Sequence, residues 1–344
     1  MRGRDDDAVP SRSTLAARRS LTLPHPPSLL TQQTTPKQTA SCLIFGATGA
    51  VGKEVLDLIA SDPAQFGMGW QSMRIVAAAP DAKKELAALH GSEAAAGNGG
   101  GDSGKAKAAP AGEGAAASPP KKSATADVVL FDCDACDAAH VKAAIDAAQA
   151  DGHQIVAIAN CIGGYLHKPL VEMSADEVVA FVSRDLLPAT CVLKCCAHAL
   201  AGGQDASGAG HQHRFRASIV CVSASLTSHG MKHTEAMAAA KGAVEALHLA
   251  AAATLAQCGV KVNCVAPGLI SHTPASAGDS AQEPAATKSA AIYPPHRLVT
   301  AEEVARTVAT VMSPTLLPFT TGSVIHCDGG LSRLQTYASP TVHV

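Results

Sequence analysis

A doubly wound α/β fold, with a seven-stranded parallel sheet and helices on both faces, is predicted by three observations on the sequence. From Ser41 onward, short apolar runs alternate with longer helical segments, the pattern of a parallel sheet covered on both sides. Seven such runs occur, enough for one sheet. A glycine-rich turn, Gly46–Gly52, lies directly between the first run and the first helix.

Taken in order, the chain opens on an extension, 1–40, rich in Arg, Ser, Thr and Pro and without strand or helix periodicity. Its arginines, and the lack of acids from Ala8 to Ala40, suggest a plastid or mitochondrial transit peptide, although Asp5, Asp6 and Asp7 are wrong for one. A plain tail on a cytoplasmic protein is the alternative. One domain is expected over 41–333, followed by a C-terminal tail, 334–344. The predicted strands are Cys42–Phe45, Arg74–Ala78, Val128–Phe131, Ile155–Ala159, Ile219–Val222, Lys261–Val265 and Ser323–Cys327. Helices are expected at Val51–Ala60, Ala138–Ala150, Ala175–Leu200, Glu235–Gln257 and Ala301–Met312. The last opens on Thr300 with Glu303 three residues on, a capping-box pattern. Between the second and third strands, 91–126 holds no Val, Ile, Leu, Met, Cys or aromatic residue and has nothing larger than Ala to bury. It reads as a disordered low-complexity insertion.

Composition excludes several functions. A net charge of −2 and 3% aromatic residues supply neither a basic stripe nor stacking rings, so no nucleic-acid partner is expected. The Ala-rich run Ala236–Ala256 is broken by Lys241, Glu245 and His248, and no apolar stretch reaches the roughly 18 residues of a membrane span. The 11 cysteines are scattered through strands and helices, as reduced thiols would be, and Cys133 and Cys136 have no second pair with which to hold a metal.

The run Gly46-Ala47-Thr48-Gly49-Ala50-Val51-Gly52 is the phosphate turn of a Rossmann-type domain. Gly46 permits the turn, Gly49 lets backbone approach a pyrophosphate, and Gly52 lets helix and strand pack closely, with the phosphate at the helix N-terminus. An acid at the tip of the second strand would hold a ribose 2′-hydroxyl and select NAD. That tip reads Ala77-Ala78-Ala79-Pro80, with Lys83 and Lys84 beyond Asp81, so the cofactor is NADP or NAD with the balance toward NADP.

Together these motifs resemble the short-chain dehydrogenase/reductase family. Asp134-Ala135-Cys136-Asp137 resembles its acidic tetrapeptide, whose first Asp reaches the adenine. Asn160-Cys161-Ile162-Gly163 resembles its Asn-Asn-Ala-Gly stretch along the cofactor. The run from Val262 to Pro267 and Gly268 resembles the loop that flanks the nicotinamide. Thr321-Gly322 and Asp328-Gly329-Gly330 resemble its C-terminal signature. The resemblance implies a homo-oligomer, a dimer or tetramer built on the long helices, and a small-molecule substrate. It also implies a carboxamide-binding Thr, matched by Thr273 one residue late, with Ser271 competing.

Where the family carries Tyr-x-x-x-Lys, this chain reads Met237-Ala238-Ala239-Ala240-Lys241. A thioether has no ionisable proton and cannot replace a phenol as general acid. A subgroup of the family with His-Glu-Ala-Ile-Ala-Ala-Ala-Lys at this place resembles Thr234–Lys241 and also lacks the Tyr. The family's oxyanion-binding Ser falls on Ala224, between Ser223 and Ser225, and its helical Asn falls on Asp185. Lys241, Ser223 and Ser225 therefore stand as catalytic candidates. His233 joins them if the helix begins early enough to put it, four residues before Met237, on the same face; a histidine in the preceding turn is the alternative. Tyr165 and a proton from Lys241 itself are further options. From Ser271 to Ala291 the chain is small and polar, which points to small or polar substrates, and Arg297 reads as a residue pinning the loop. Two functions follow: an NAD(P)(H)-dependent oxidoreductase acting on a small carbonyl or hydroxyl compound through an altered proton donor, or a dinucleotide-binding sensor or interaction protein without turnover.

Overall fold

Alternation along the first strand sets the architecture. In β1 (Thr39–Phe45), Cys42 and Ile44 face one side of the sheet and Leu43 and Phe45 the other, and all four are fully buried. A strand apolar on both faces needs a helical layer on each. The computed structural model describes residues 39–63, 72–85, 126–201, 215–273, 276 and 290–334, all within one unit, Lys37–Val344.

The other strands are β2 (Ser72–Ala79), β3 (Asp127–Asp132), β4 (Gln154–Asn160), β5 (Ala217–Val222), β6 (Val260–Pro267) and β7 (Val324–Cys327). All seven run parallel in the order β3-β2-β1-β4-β5-β6-β7. The order reverses between β1 and β4, so their carboxyl ends open a crevice where open α/β sheets bind ligands. One face is covered by α1 (Ala50–Ser61) and α6 (Ala301–Met312), through Val55, Leu56, Ile59, Val304 and Val308. The other is covered by α2 (Ala138–Gln149), α3 (Ala175–Ala201) and α5 (Glu235–Leu255), through Val141, Ile145, Val192, Leu193, Val244 and Leu255. A four-residue helix, α4 (Leu226–His229), follows β5.

The seven predicted strands and five long helices all form. β1 begins two residues before the expected domain start, because Thr39 and Ala40 pair with Ser72 and Met73. The expected helix at 235–257 ends at Leu255 and passes into a 3₁₀ turn, Ala256–Cys258. Thr300 and Glu303 make the reciprocal capping box, and Glu303 also takes both arms of Arg297 at 2.8 and 2.6 Å, which pins the loop before α6. Lys261, fully buried in β6, donates to the carbonyls of Ser313 and Leu317 at 2.8 and 2.7 Å and so ties off the end of α6. All eleven cysteines are free thiols, with Cys133 buried and Cys136 exposed. Among the described residues, no helix is long and apolar enough to cross a membrane. The extension, apart from Thr39 and Ala40, the insertion, apart from Ala126, and the tail, apart from Leu334, lie outside the described residues.

Candidate active site

The turn after β1 is built on backbone that side chains would spoil. Gly46 has φ +76°, and its N–H donates to the Ala78 carbonyl at 2.8 Å. A Cβ at Gly52 would overlap the Gly46 carbonyl oxygen, so helix and turn touch only because Gly52 has none. Gly49 caps α1 without a side chain, and the first turn of the helix carries no acid. The amides of Ala50, Val51 and Gly52 therefore face outward from an uncompensated positive helix end, beside Thr48, and this cradle suits a pyrophosphate.

Around it, the turn packs against Cys161 and Ile162, which follow β4. Asn160, 2% exposed, accepts from the Ile162 N–H at 3.2 Å and fixes that stretch. Asp134 lies at the exposed mouth beyond β3, with one carboxylate oxygen accepting from the Cys136 N–H at 2.9 Å. At the tip of β2, Lys83 is engaged by Asp132 at 3.6 Å, and Lys84 is exposed.

The far end of the crevice centres on Lys241. Its Nζ lies 3.0 Å from Asp185 Oδ2, both side chains being almost wholly buried, and donates to the Val222 carbonyl at 3.4 Å. Asp185 Oδ1 accepts from the Gly164 N–H at 3.0 Å. A Cβ at Gly163 would overlap Lys241 Nζ and would have to push the lysine end aside. The turn of α3 that carries Asp185 is loosened by Pro188, which cannot donate to the Arg184 carbonyl four residues back. Arg184 lies across Gly164, stacks over the Phe181 ring with Cζ 4.4 Å from its centroid, and approaches Asp185 Oδ1 at 3.6 Å.

Met237, four residues before Lys241, is buried in a small apolar cluster with Ala224, Leu226, Phe181, Ala236 and Ala240. The flanking serines are both 3% exposed: Ser223 donates its N–H to Val265 O and Ser225 its N–H to Pro267 O, each at 2.8 Å. Burial pushes the Cys264 thiol up to about 12, so it stays protonated at neutral pH. Gly268 lies against the Tyr293 ring, whose hydroxyl accepts from the Leu269 N–H at 2.7 Å. Thr273 turns its hydroxyl back to the Ile270 carbonyl at 2.9 Å.

The condition on His233 is not met. α5 begins at Glu235 with Thr234 as its cap, and His233 precedes it at φ +62°, its ring edge-on to His167 with centroids 5.5 Å apart. A residue outside the helix does not follow the helix's four-residue periodicity. Tyr165 is 42% exposed, and Tyr293 is 3% exposed. Arg184 and Phe181 belong to no motif in the sequence; Pro188 is the sign there that this turn of α3 is unusual.

The family described as Enoyl-(Acyl carrier protein) reductase matches residues 107–332. Over 202 residues the chain is 35% identical to cis-4-hydroxycyclohexanecarboxylate dehydrogenase from Sinomonas cyclohexanicum, covering 58% of this chain and 75% of that protein. It is 32% identical over 127 residues to the peroxisomal 2,4-dienoyl-CoA reductase of Saccharomyces cerevisiae, covering 36% of this chain and 42% of that one. The match thus spans less than half of the yeast relative's length. Among solved structures, a short-chain type dehydrogenase/reductase from Mycobacterium ulcerans superposes with TM-score 0.62 at 22% identity, covering 87% of this chain and 91% of that chain. ElxO with NADP bound superposes with TM-score 0.62 at 18% identity, covering 85% and 98%. These likenesses establish a shared fold.

Proposed function

Since the chain belongs to the short-chain dehydrogenase/reductase family, a family of oxidoreductases, we propose that it is an NAD(P)(H)-dependent oxidoreductase of a small carbonyl or hydroxyl compound whose proton donor is not the usual tyrosine. The observation that carries this reading is the buried Lys241, held by Asp185 and Gly163 at one end of a crevice whose other end is a bare helix N-terminus. Bound there, the cofactor supplies or accepts a hydride. Gly46, Thr48, Gly49, Ala50, Val51 and Gly52 would surround its pyrophosphate, with Asp134 at the adenine end. Asn160, Gly163 and Lys241 would line the ribose, with Pro267, Gly268 and Thr273 beside the nicotinamide. Exposed Lys84 beyond β2 favours NADP over NAD.

Met237 and Ala224 occupy the places where the family carries Tyr and Ser, and the two apolar side chains share one cluster. With His233 off the helix, Lys241 Nζ is the group best placed to give the proton, and the Asp185 carboxylate 3.0 Å away holds it in position. Ser223 and Ser225 are the hydroxyls nearest the lost Ser position. The same apolar cluster favours the second reading, a dinucleotide sensor without turnover, because neither Met237 nor Ala224 can bond a substrate oxygen. Exposed Val179 and Leu187 on α3 and Leu249 on α5 support a homo-oligomer built on these helices.

Titration of the full chain with NADPH and NADH, followed by a panel of carbonyl compounds, separates the readings. Binding with turnover supports the enzyme, and binding without turnover supports the sensor. Failure to bind either nucleotide sinks both.

A further inference from the structure

Three charged side chains meet beside the reaction end of the crevice, Lys241, Asp185 and Arg184, and they sum to +1. The single carboxylate is already committed. It pairs with Lys241 at 3.0 Å and accepts from the Gly164 N–H at 3.0 Å, which leaves Arg184 a looser contact at 3.6 Å. Among the described residues this is the only ionic contact of Arg184, and its side chain is 53% exposed.

Despite that exposure the guanidinium is held in place. Phe181 lies beneath it at 4.4 Å and the Gly164 backbone against it, and a Cβ at Gly164 would overlap the guanidinium nitrogen. Phe181 itself belongs to the apolar cluster that contains Met237 and Ala224. A stacked arginine keeps its planar fork free to bond a carboxylate through two N–H groups, and holding it in advance reduces the ordering cost of binding.

We propose that Arg184 anchors a carboxylate on the substrate, so that the compound lies with its anionic end on Arg184, beside the reaction end of the crevice. The proposal rests on the dehydrogenase reading of this crevice and narrows its substrate class to hydroxy or oxo acids.

The test compares the full-length protein with Arg184→Met, whose unbranched stem can still lie on Phe181, and with Arg184→Lys. Each is titrated calorimetrically with cyclohexanecarboxylate and with cyclohexanecarboxamide, with and without NADP⁺, and NADP⁺ affinity is measured on the same preparations. The wild type is expected to bind the acid at least about 10-fold more tightly than the amide. Arg184→Met is expected to lose about 10- to 100-fold for the acid alone, with partial recovery in Arg184→Lys. An acid-to-amide ratio that is the same in wild type and Arg184→Met overturns the proposal, as does a wild type that binds neither probe. A loss of NADP⁺ affinity in Arg184→Met as large as the loss for the acid also overturns it, because the substitution would then disturb the crevice as a whole. Failure of the wild type to bind NADP⁺ counts instead against the dehydrogenase reading, and the titrations without NADP⁺ still report on Arg184.

Discussion

Removing the carboxylate of Asp185 while keeping its shape is the sharpest perturbation available at this site. Asp185→Asn leaves an oxygen for the Gly164 N–H but takes the countercharge from Lys241, whose side chain is only 6% exposed. Breaking a buried pair from one side costs about 3–5 kcal/mol, since the remaining charge has neither water nor partner. Here the lower end applies, because Lys241 keeps the Val222 carbonyl at 3.4 Å. Lys241→Met strands Asp185 in the same way, with Arg184 at 3.6 Å giving partial relief. The double variant strands nothing, so its loss should fall short of the summed single losses by about 2 kcal/mol or more. Urea unfolding followed by far-UV circular dichroism, on all four proteins, measures the cycle. Additivity within about 0.5 kcal/mol would refute the reasoning, because it would mean that the two charges do not depend on each other.

Gly163→Ala should weaken NADPH binding by about 10-fold or more while the far-UV spectrum stays folded, because the new methyl must push Lys241 Nζ aside; nucleotide titration measures it, and unchanged affinity would count against Lys241 as a cofactor contact. Burial lowers Lys261 to about 8, below its unfolded value, so the unfolded chain holds the extra proton between roughly pH 8 and 10.5 and stability rises with pH across that window. Lys261→Met should lack that rise, worth about 2–3 kcal/mol, in unfolding curves at pH 7.5 and 10. Glu303 is held down to about 2, first by Arg297 and then by the Thr300 amide, so its contribution is present above the ordinary carboxylate value and is lost as pH falls toward 2. Because its side chain is 41% exposed, Glu303→Gln should cost only about 1 kcal/mol at pH 7, with the difference from wild type vanishing near pH 2.

The fold was legible because each strand is apolar on both faces and each helix on one. Cys42 to Phe45 can be buried on alternate sides only in a covered parallel sheet, and Thr300 with Glu303 marks a helix start whatever its surroundings. Single-residue features such as Gly46 and Gly52 could be read for the same reason, since their meaning lies in local backbone. The reaction end was harder. Asp185 could be aligned with the family's Asn, but its contact with Lys241 joins residues 56 positions apart on different helices, and no periodicity reports such a meeting. Arg184 reads as an ordinary surface arginine until Phe181 and Gly164 are seen on either side of it. His233 shows the opposite error: its spacing fitted a helix face, but the chain turns into the helix only after it.

The shared burial of Met237 and Ala224 couples the two positions. Tyrosine at position 237 alone would bring a hydroxyl into a cluster with no polar partner at Ala224, and serine at 224 alone would set a hydroxyl against a thioether. Each single step carries the roughly 1–3 kcal/mol burden of an unsatisfied buried polar group, whereas the two together can satisfy one another. The hydroxyl-bearing pair and the present apolar pair are thus each self-consistent, and either single substitution leaves a hydroxyl unpaired. Positions 224 and 237 therefore change together or not at all, and the charged groups beside them, the acid opposite Lys241 and the arginine at the mouth, are free of that coupling.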